Sequence, residues 1–430
     1  MAEIQDPGKS AADQVTRIIE DDQGDLVELC LDLANTLSPH GKERAVASKV
    51  VDWFKANNIQ GWLQPITERS ANAVGWLPGV EDGTSLIFDA HMDTGPELPP
   101  SAAERLRRIS QAWVENDIIY GWGVVNDKGQ LAAFMIAARA LAKAGIRLKG
   151  DLYIAGVAFE TGYPSVGERQ GIDYPGTGFG TWWLVNRGVT ADYALVGETS
   201  GFGLITVECG ELYLEISTRG RSIYTPRMER GSSLQEHPSS AVRMGHIVQA
   251  LEEWAVRYQK ENRLEFEGGA IVPKVQILSV HGDSRESRLR LDIMLVPGAN
   301  PRKVKADVQK FLKESGFDCE VSAYQWSRGY FAKNAEPLMD AVRQAHRGVL
   351  GNEPPRPPTE EVSMWRDVNF FNEVGIPSIC YGPPRQQELM SDSRNRCMKI
   401  ADLVAATKVY ALTAMNLCGL AKEPTSVVKK

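Results

Sequence analysis

The chain is predicted to be an α/β protein. A mixed central sheet covered by helices is interrupted by a second, ferredoxin-like α+β domain of β-α-β-β-α-β pattern. Three observations predict this. Short continuous apolar runs at 86–88, 152–159, 191–196 and 378–381 end in polar residues, as strands buried on both faces do. Helical patterns separate these runs, among them an alanine-rich stretch at 130–144. Between 205 and 327 the texture changes to strict alternation (Leu212, Leu214, Ile216; Val275, Ile277; Leu289, Leu291, Ile293) around helical stretches at 241–258 and 301–315. At 430 residues two domains are expected, one from 1–204 with 328–430 and the other from 205–327.

Taken in order, residues 25–58 read as two amphipathic helices. Leu26, Leu29, Leu31, Leu33 and Ala34 mark the first, and a Ser38-Pro39-His40-Gly41 break separates it from the second. Strands at 73–77 and 85–88 lie around the Pro78-Gly79 and Asp82-Gly83 turns, and 97–117 is a polar surface excursion. After the alternating region come a helix at 337–349, a proline-rich link at 354–358, the strand at 378–381 and a last helix at 400–417.

Composition narrows the function. Hydrophobic content of 43% beside 24% charged residues is that of a soluble globular protein. A formal net charge of −7 with no basic arm argues against nucleic-acid binding. The polar start, 1–25, has the character of neither a signal peptide nor an anchor, and no apolar run suggests a membrane span. Six scattered cysteines without a Cys-x-x-Cys pair point to reduced, buried thiols in a cytoplasmic protein. A metal site would then rest on histidine and carboxylates.

Those residues stand at strand ends. His91 and Asp93 follow the apolar run 86–88 and, two apart, point to one side of an extended chain. The imidazole suits a divalent metal, and the carboxylate suits either ligation or orientation of the ring from behind. Asp127 ends a glycine-rich approach to a helix, while Glu160 and Glu198 each follow a buried strand. Taken singly, Asp127 reads as a helix N-cap, and Glu160 and Glu198 as solvated turn acids. Four such ends on one sheet favour a shared site, because converging carboxylates repel unless a cation joins them.

The order His91-Met92-Asp93, Gly121-Trp122-Gly123-Val124-Val125-Asn126-Asp127-Lys128-Gly129, Glu160, Gly197-Glu198, an inserted domain and a closing Gly375-Ile376-Pro377 with Tyr381-Gly382-Pro383 resembles the aminoacylase, carboxypeptidase-G and succinyl-diaminopimelate desuccinylase family of metallohydrolases. The resemblance covers nearly the whole chain. It implies a catalytic α/β domain, an inserted lid that makes a homodimer, and two divalent ions serving amide hydrolysis. Position by position it implies His91, Asp127 and Glu198 as ligands of one metal with Asp127 bridging, Glu160 as a ligand of the second, and Asp93 as the residue orienting His91.

Departures from the family pattern matter as much. Phe159 holds the place of the family's general base, Asp392 that of its last histidine ligand, and Tyr224 that of a lid histidine. Met294 replaces a lid arginine that grips a substrate carboxylate, leaving Arg288 and Arg290 as substitutes. A carboxylate at 392 makes the second site richer in oxygen. One or two ions per chain are expected, with Mn²⁺ preferred and Zn²⁺ or Co²⁺ as alternatives. Glu160 becomes the residue to take a proton from metal-activated water, and Tyr224 a hydrogen-bond donor to developing charge. The expected activity is metal-dependent hydrolysis of a C–N bond in a small aromatic amine or amide. The preferred specific reading is deamination of 5-nitroanthranilate to 5-nitrosalicylate and ammonia, with Phe159, Trp182 and Trp183 as candidate walls of an aromatic pocket. The alternatives are an aminoacylase-like amidase and a catalytically silent dimeric binding protein.

Overall fold

The computed structural model describes residues 7–94, 111–161, 165–231, 233–266, 268–385 and 396–421; most of the predicted polar excursion and Asp392 lie outside them. The strands run in chain order as β1 (Gln60–Pro65), β2 (Ala71–Leu77), β3 (Leu86–His91), β4 (Trp113–Glu115), β5 (Ile118–Tyr120), β6 (Leu152–Val157) and β7 (Tyr193–Val196). Then come β8 (Val207–Glu208), β9 (Gly210–Arg219), β10 (Leu264–Phe266), β11 (Gly269–Ile271), β12 (Val275–Gly282), β13 (Glu286–Leu295) and β14 (Glu320–Ser327). The last are β15 (Tyr330–Phe331), β16 (Ser378–Cys380) and β17 (Cys397–Lys399).

The central sheet has the order β1-β2-β6-β3-β7-β16. β6, β3, β7 and β16 are mutually parallel, while β1 and β2 form an antiparallel edge, so the sheet is mixed as predicted. On one face Phe88 stacks on Phe134 at 4.5 Å between ring centroids, and Phe134 meets Tyr410 at 4.4 Å. These rings join β3 to helices Gly129–Lys143 and Ile400–Cys418. On the other face Ile87 and Val196 pack with Leu184, Val368 and Phe371. Because β3, β6 and β7 are parallel neighbours, the segments leaving them emerge together at one edge, where ligands of α/β sheets gather.

Helix Pro7–Asp21 was not expected from its polar composition; it buries Val15 and Ile19, four residues apart on one face. Helices Gln23–Asn35 and Arg44–Ala56 match the predicted pair. Helix Ile400–Cys418 is long and apolar enough to cross a membrane by length and composition alone, yet it lies in the core with Leu403, Tyr410 and Met415 buried. All six cysteines are free, and all but Cys319 are buried.

The inserted sheet has the order β12-β13-β9-β14, antiparallel throughout, with helices Ser240–Glu261 and Pro301–Glu314 on one face. That is the ferredoxin-like pattern. Leu212, Leu214, Ile216, Leu289, Leu291 and Ile293 make its apolar face. The alternate residues, including Glu215, Arg290 and Asp292, give an opposite face that is polar. Gln325 Nε2 donates to Thr177 Oγ1 at 2.8 Å, tying β14 to the segment that precedes helix Phe179–Asn186.

Candidate metal centre

Backbone ties fix the end of β3. Met92 N–H donates to the Val157 carbonyl at 2.7 Å, and Ser38 Oγ donates to the Met92 carbonyl at 2.6 Å. The chain then turns, and Asp93 becomes a junction between strand ends. Its carboxylate accepts from Glu160 N at 3.0 Å, Thr161 N at 2.8 Å and Thr161 Oγ1 at 2.5 Å. Asp93 Oδ1 lies 3.4 Å from His91 Nδ1, leaving Nε2 to face the other acids. Two glycines permit the close packing: a Cβ on Gly180 would stand 2.0 Å from the Ala158 carbonyl, and one on Gly382 2.2 Å from the Glu198 carbonyl.

His91, Asp127 and Glu198 offer ligand atoms that all lie within 4.8 Å of one another, and all three are buried. His91 Nε2 is 3.9 Å from Glu198 Oε1 and 3.6 Å from Glu160 Oε2, so the fourth predicted strand end joins the cluster. The ordinary explanations for these acids fail here. Asp127 makes no cap hydrogen bond to helix Gly129–Lys143, whose N-cap position belongs to Lys128. Both Asp127 oxygens are buried without a partner among the described residues. Glu160 and Glu198 are each only 7% exposed, which is not the setting of a solvated turn acid.

Burial first, then the neighbouring carboxylate of Glu198, pushes Asp127 well above the usual carboxylate range. Burial also raises Glu160, with Asp367 and Glu198 adding to it against the pull of His91. Burial lowers His91, but Glu160 and the Asp93 hydrogen bond outweigh it and hold the imidazole well above its usual value. A divalent ion would displace the protons that these buried acids and the histidine otherwise hold. The donors are one nitrogen and several oxygens, and Asp127's orphaned oxygens fit such an ion.

Behind Glu198 stands a group the sequence reading missed. Arg366 is 2% exposed, with Nε 3.4 Å from Glu198 Oε2, Nη1 2.5 Å from Glu208 Oε1 and Nη2 2.6 Å from Glu361 Oε2. It turns one oxygen of Glu198 away and leaves the other for the site. Asp367, pushed up to about 7 by burial, also lies within the electrostatic reach of His91, Asp93 and Glu198. Arg396 stacks over Trp122 at 5.5 Å, and its charge couples to Glu198 and Asp127.

Comparison with known proteins now decides the family, since the model for peptidase family M20/M25/M40 matches residues 87–416. The chain belongs to that family. It is a metal-dependent hydrolase of the peptidase and amidase type. An N-formyl-4-amino-5-aminomethyl-2-methylpyrimidine deformylase of Halalkalibacterium halodurans is 25% identical over 90% of this chain and 92% of its own. A [LysW]-lysine hydrolase of Deinococcus radiodurans is 25% identical over 83% of this chain and 87% of its own. Among solved structures, a dinuclear metal-binding M20 peptidase of Bacillus subtilis superposes with a TM-score of 0.60 at 12% identity, covering 93% of this chain and 99% of that one.

Other expected M20 positions are distributed less evenly. Asp392 lies outside the described residues. Tyr224 is 74% exposed. Arg288 is exposed and paired with Glu215 at 3.4 Å and Glu286 at 3.2 Å. Arg290 is less exposed and 3.6 Å from Glu215. A Cβ on Gly167 would lie 3.0 Å from Arg290 Nη2, so this arginine reaches the loop that follows Glu160. Phe159 is fully buried, edge-on to His40 at 4.8 Å and to Phe179 at 6.3 Å. Trp182 is exposed, and Trp183 carries Arg187 over its ring at 4.1 Å. Met294 packs against the apolar cluster beneath the central sheet.

Proposed function

We propose that the protein hydrolyses a C–N bond of a small anionic substrate, with His91, Asp127 and Glu198 holding a divalent ion and Glu160 carrying the proton. The observation that carries this is the buried convergence of those four side chains, with neither Asp127 oxygen hydrogen-bonded among the described residues. A divalent ion at such a site acidifies a water and stabilises negative charge on the substrate. Mn²⁺ is our preferred ion, since carboxylates dominate the donor set, and a second ion would use Glu160 and Asp392. The dinuclear B. subtilis protein supports two ions.

Asp93 holds the ring of His91, and Glu160 takes a proton from the attacking water and returns it to the departing nitrogen. With Phe159 buried in the family base's position, Glu160 is the carboxylate left for that transfer. The specific reaction we propose is deamination of 5-nitroanthranilate. Water adds at the amine-bearing ring carbon, the nitro group takes up the charge, the C–N bond breaks, and ammonia leaves with 5-nitrosalicylate as product. Arg290 and Arg396 are the cations placed to meet the substrate carboxylate. Amide hydrolysis is the second reading, favoured by relatives that act on an N-formyl amine and a lysine conjugate.

We place the lid at 205–327 and the catalytic part at 1–204 with 328–430. We propose a homodimer through the edge of β12, where Leu278 and Val280 are exposed, with Tyr224 serving the partner's site. A monomer mass by light scattering would contradict that arrangement. The reaction is tested by incubating the purified Mn²⁺-loaded chain with 5-nitroanthranilate and with N-formyl and N-succinyl amines. Ammonia and 5-nitrosalicylate in the first arm support deamination. Turnover confined to the second arm assigns an amidase, and no turnover with no bound metal supports the catalytically silent binding protein.

A further inference from the structure

One buried imidazole has no part in the scheme above. His40 is 7% exposed and sits in the turn between helices Gln23–Asn35 and Arg44–Ala56. Its Nδ1 lies 3.6 Å from Asp93 Oδ2, while Asp93 Oδ1 faces His91 Nδ1 at 3.4 Å. Each oxygen of one fully buried carboxylate thus addresses a different imidazole. We infer that His40 is a positioning residue for the metal centre, holding Asp93 so that Asp93 sets the ring of His91. This rests on the proposed metal site.

The turn is built to hold His40 there. Gly41 adopts φ +78 and its N–H donates to Glu43 Oε1 at 2.7 Å, which bends the chain sharply after His40. Ser38 is tied to the Met92 carbonyl, and Thr94 N–H donates to the Ser38 carbonyl at 3.0 Å, so turn and strand end move as one piece. The ring of Phe159 meets His40 edge-on at 83°, closing the remaining side. Where the family pattern has an acid, this chain places an aromatic ring whose contact is His40.

His40, Glu43 and Asp93 also have the composition and spacing of a metal site of their own. They are better read as support. One Glu43 oxygen is committed to Gly41, Asp93 already accepts two backbone N–H groups and a hydroxyl, and the buried Lys128 side chain couples to both acids. Lys128 Nζ is anchored on the Thr36 carbonyl at 2.7 Å, and burial lowers its pKa to about 7.

Two substitutions separate hydrogen bonding from packing. His40→Asn puts an amide nitrogen near the place of Nδ1 but removes the ring. His40→Phe keeps the ring against Phe159 but removes both nitrogens. Mn²⁺ affinity of the full-length chain is measured by competition with a fluorescent chelator, with Asp93→Asn as reference. Groups behind a ligating histidine typically change metal affinity by about 10–100-fold when lost. His40→Phe is expected to weaken Mn²⁺ binding by about tenfold, and His40→Asn by less than about threefold. The reverse order, or equal affinities in the two variants, overturns the role of His40 while leaving the metal site standing. A native chain that binds no Mn²⁺ overturns both.

Discussion

Asp127 brings two buried oxygens, unpartnered among the described residues, beside Glu198, Glu160 and His91, an arrangement that a proton or a cation must relieve. Asp127→Asn removes the charge and keeps the shape. It is expected to abolish Mn²⁺ binding yet raise the metal-free protein's Tm by roughly 1–3 °C, checked by calorimetry with and without the ion. Arg290 and Arg288 are chemically alike, but only Arg290 reaches toward the loop after Glu160. Arg290→Met is expected to raise KM about tenfold with kcat little changed, and Arg288→Met to leave both within about twofold, by steady-state kinetics. His91 and Glu198 were legible because each follows an apolar run; Asp127 does not end a strand of the central sheet as expected but lies in the helical segment Val124–Lys128 after β5. Arg366 and Asp367 were not, since an adjacent Arg-Asp pair reads as surface charge until the fold buries it. His40 was hidden in a Ser-Pro-His-Gly turn whose neighbours lie some fifty residues away, at Met92 and Asp93.

At the level of elements, the site depends on parallel strands ending together and on a charged strut behind them. Arg366 links helix Thr359–Val362, through Glu361, to β8, through Glu208, and to the end of β7, through Glu198. Arg366→Met leaves Glu198 and Glu208 buried without that cation, and Glu361 with Arg385 alone. It is expected to lower stability by about 3–5 kcal/mol in urea unfolding. Buried parallel strands and the two lid helices were readable from apolar periodicity, and their ends moved by only a few residues. β1 was not readable, because an edge strand with alternating exposure carries no continuous apolar run. Helix Pro7–Asp21 shows the same limit: two buried apolar residues suffice to dock it, too few to mark it in a polar sequence.

For the whole molecule, the site ties stability to pH and to metal. Asp127, Glu160 and His91 all have pKa values raised in the metal-free fold, so the folded state holds more protons than the unfolded chain once pH exceeds the ordinary carboxylate range. Stability from these groups is therefore present at low pH and lost as pH rises through their folded values. Asp93 has the opposite sign: burial raises it, but the neighbouring imidazoles of His40 and His91 outweigh burial and hold it well below the usual carboxylate range, so its loss falls at more acid pH. Metal-free Tm is expected to fall as pH rises above the ordinary carboxylate range, and the rise in Tm on adding Mn²⁺ to grow in the same direction, by differential scanning fluorimetry. The most direct test is anomalous diffraction from crystals grown with Mn²⁺. A peak bounded by His91 Nε2, Asp127 and Glu198 is the expected result, and an occupied crystal surface with nothing between those three side chains would contradict the account.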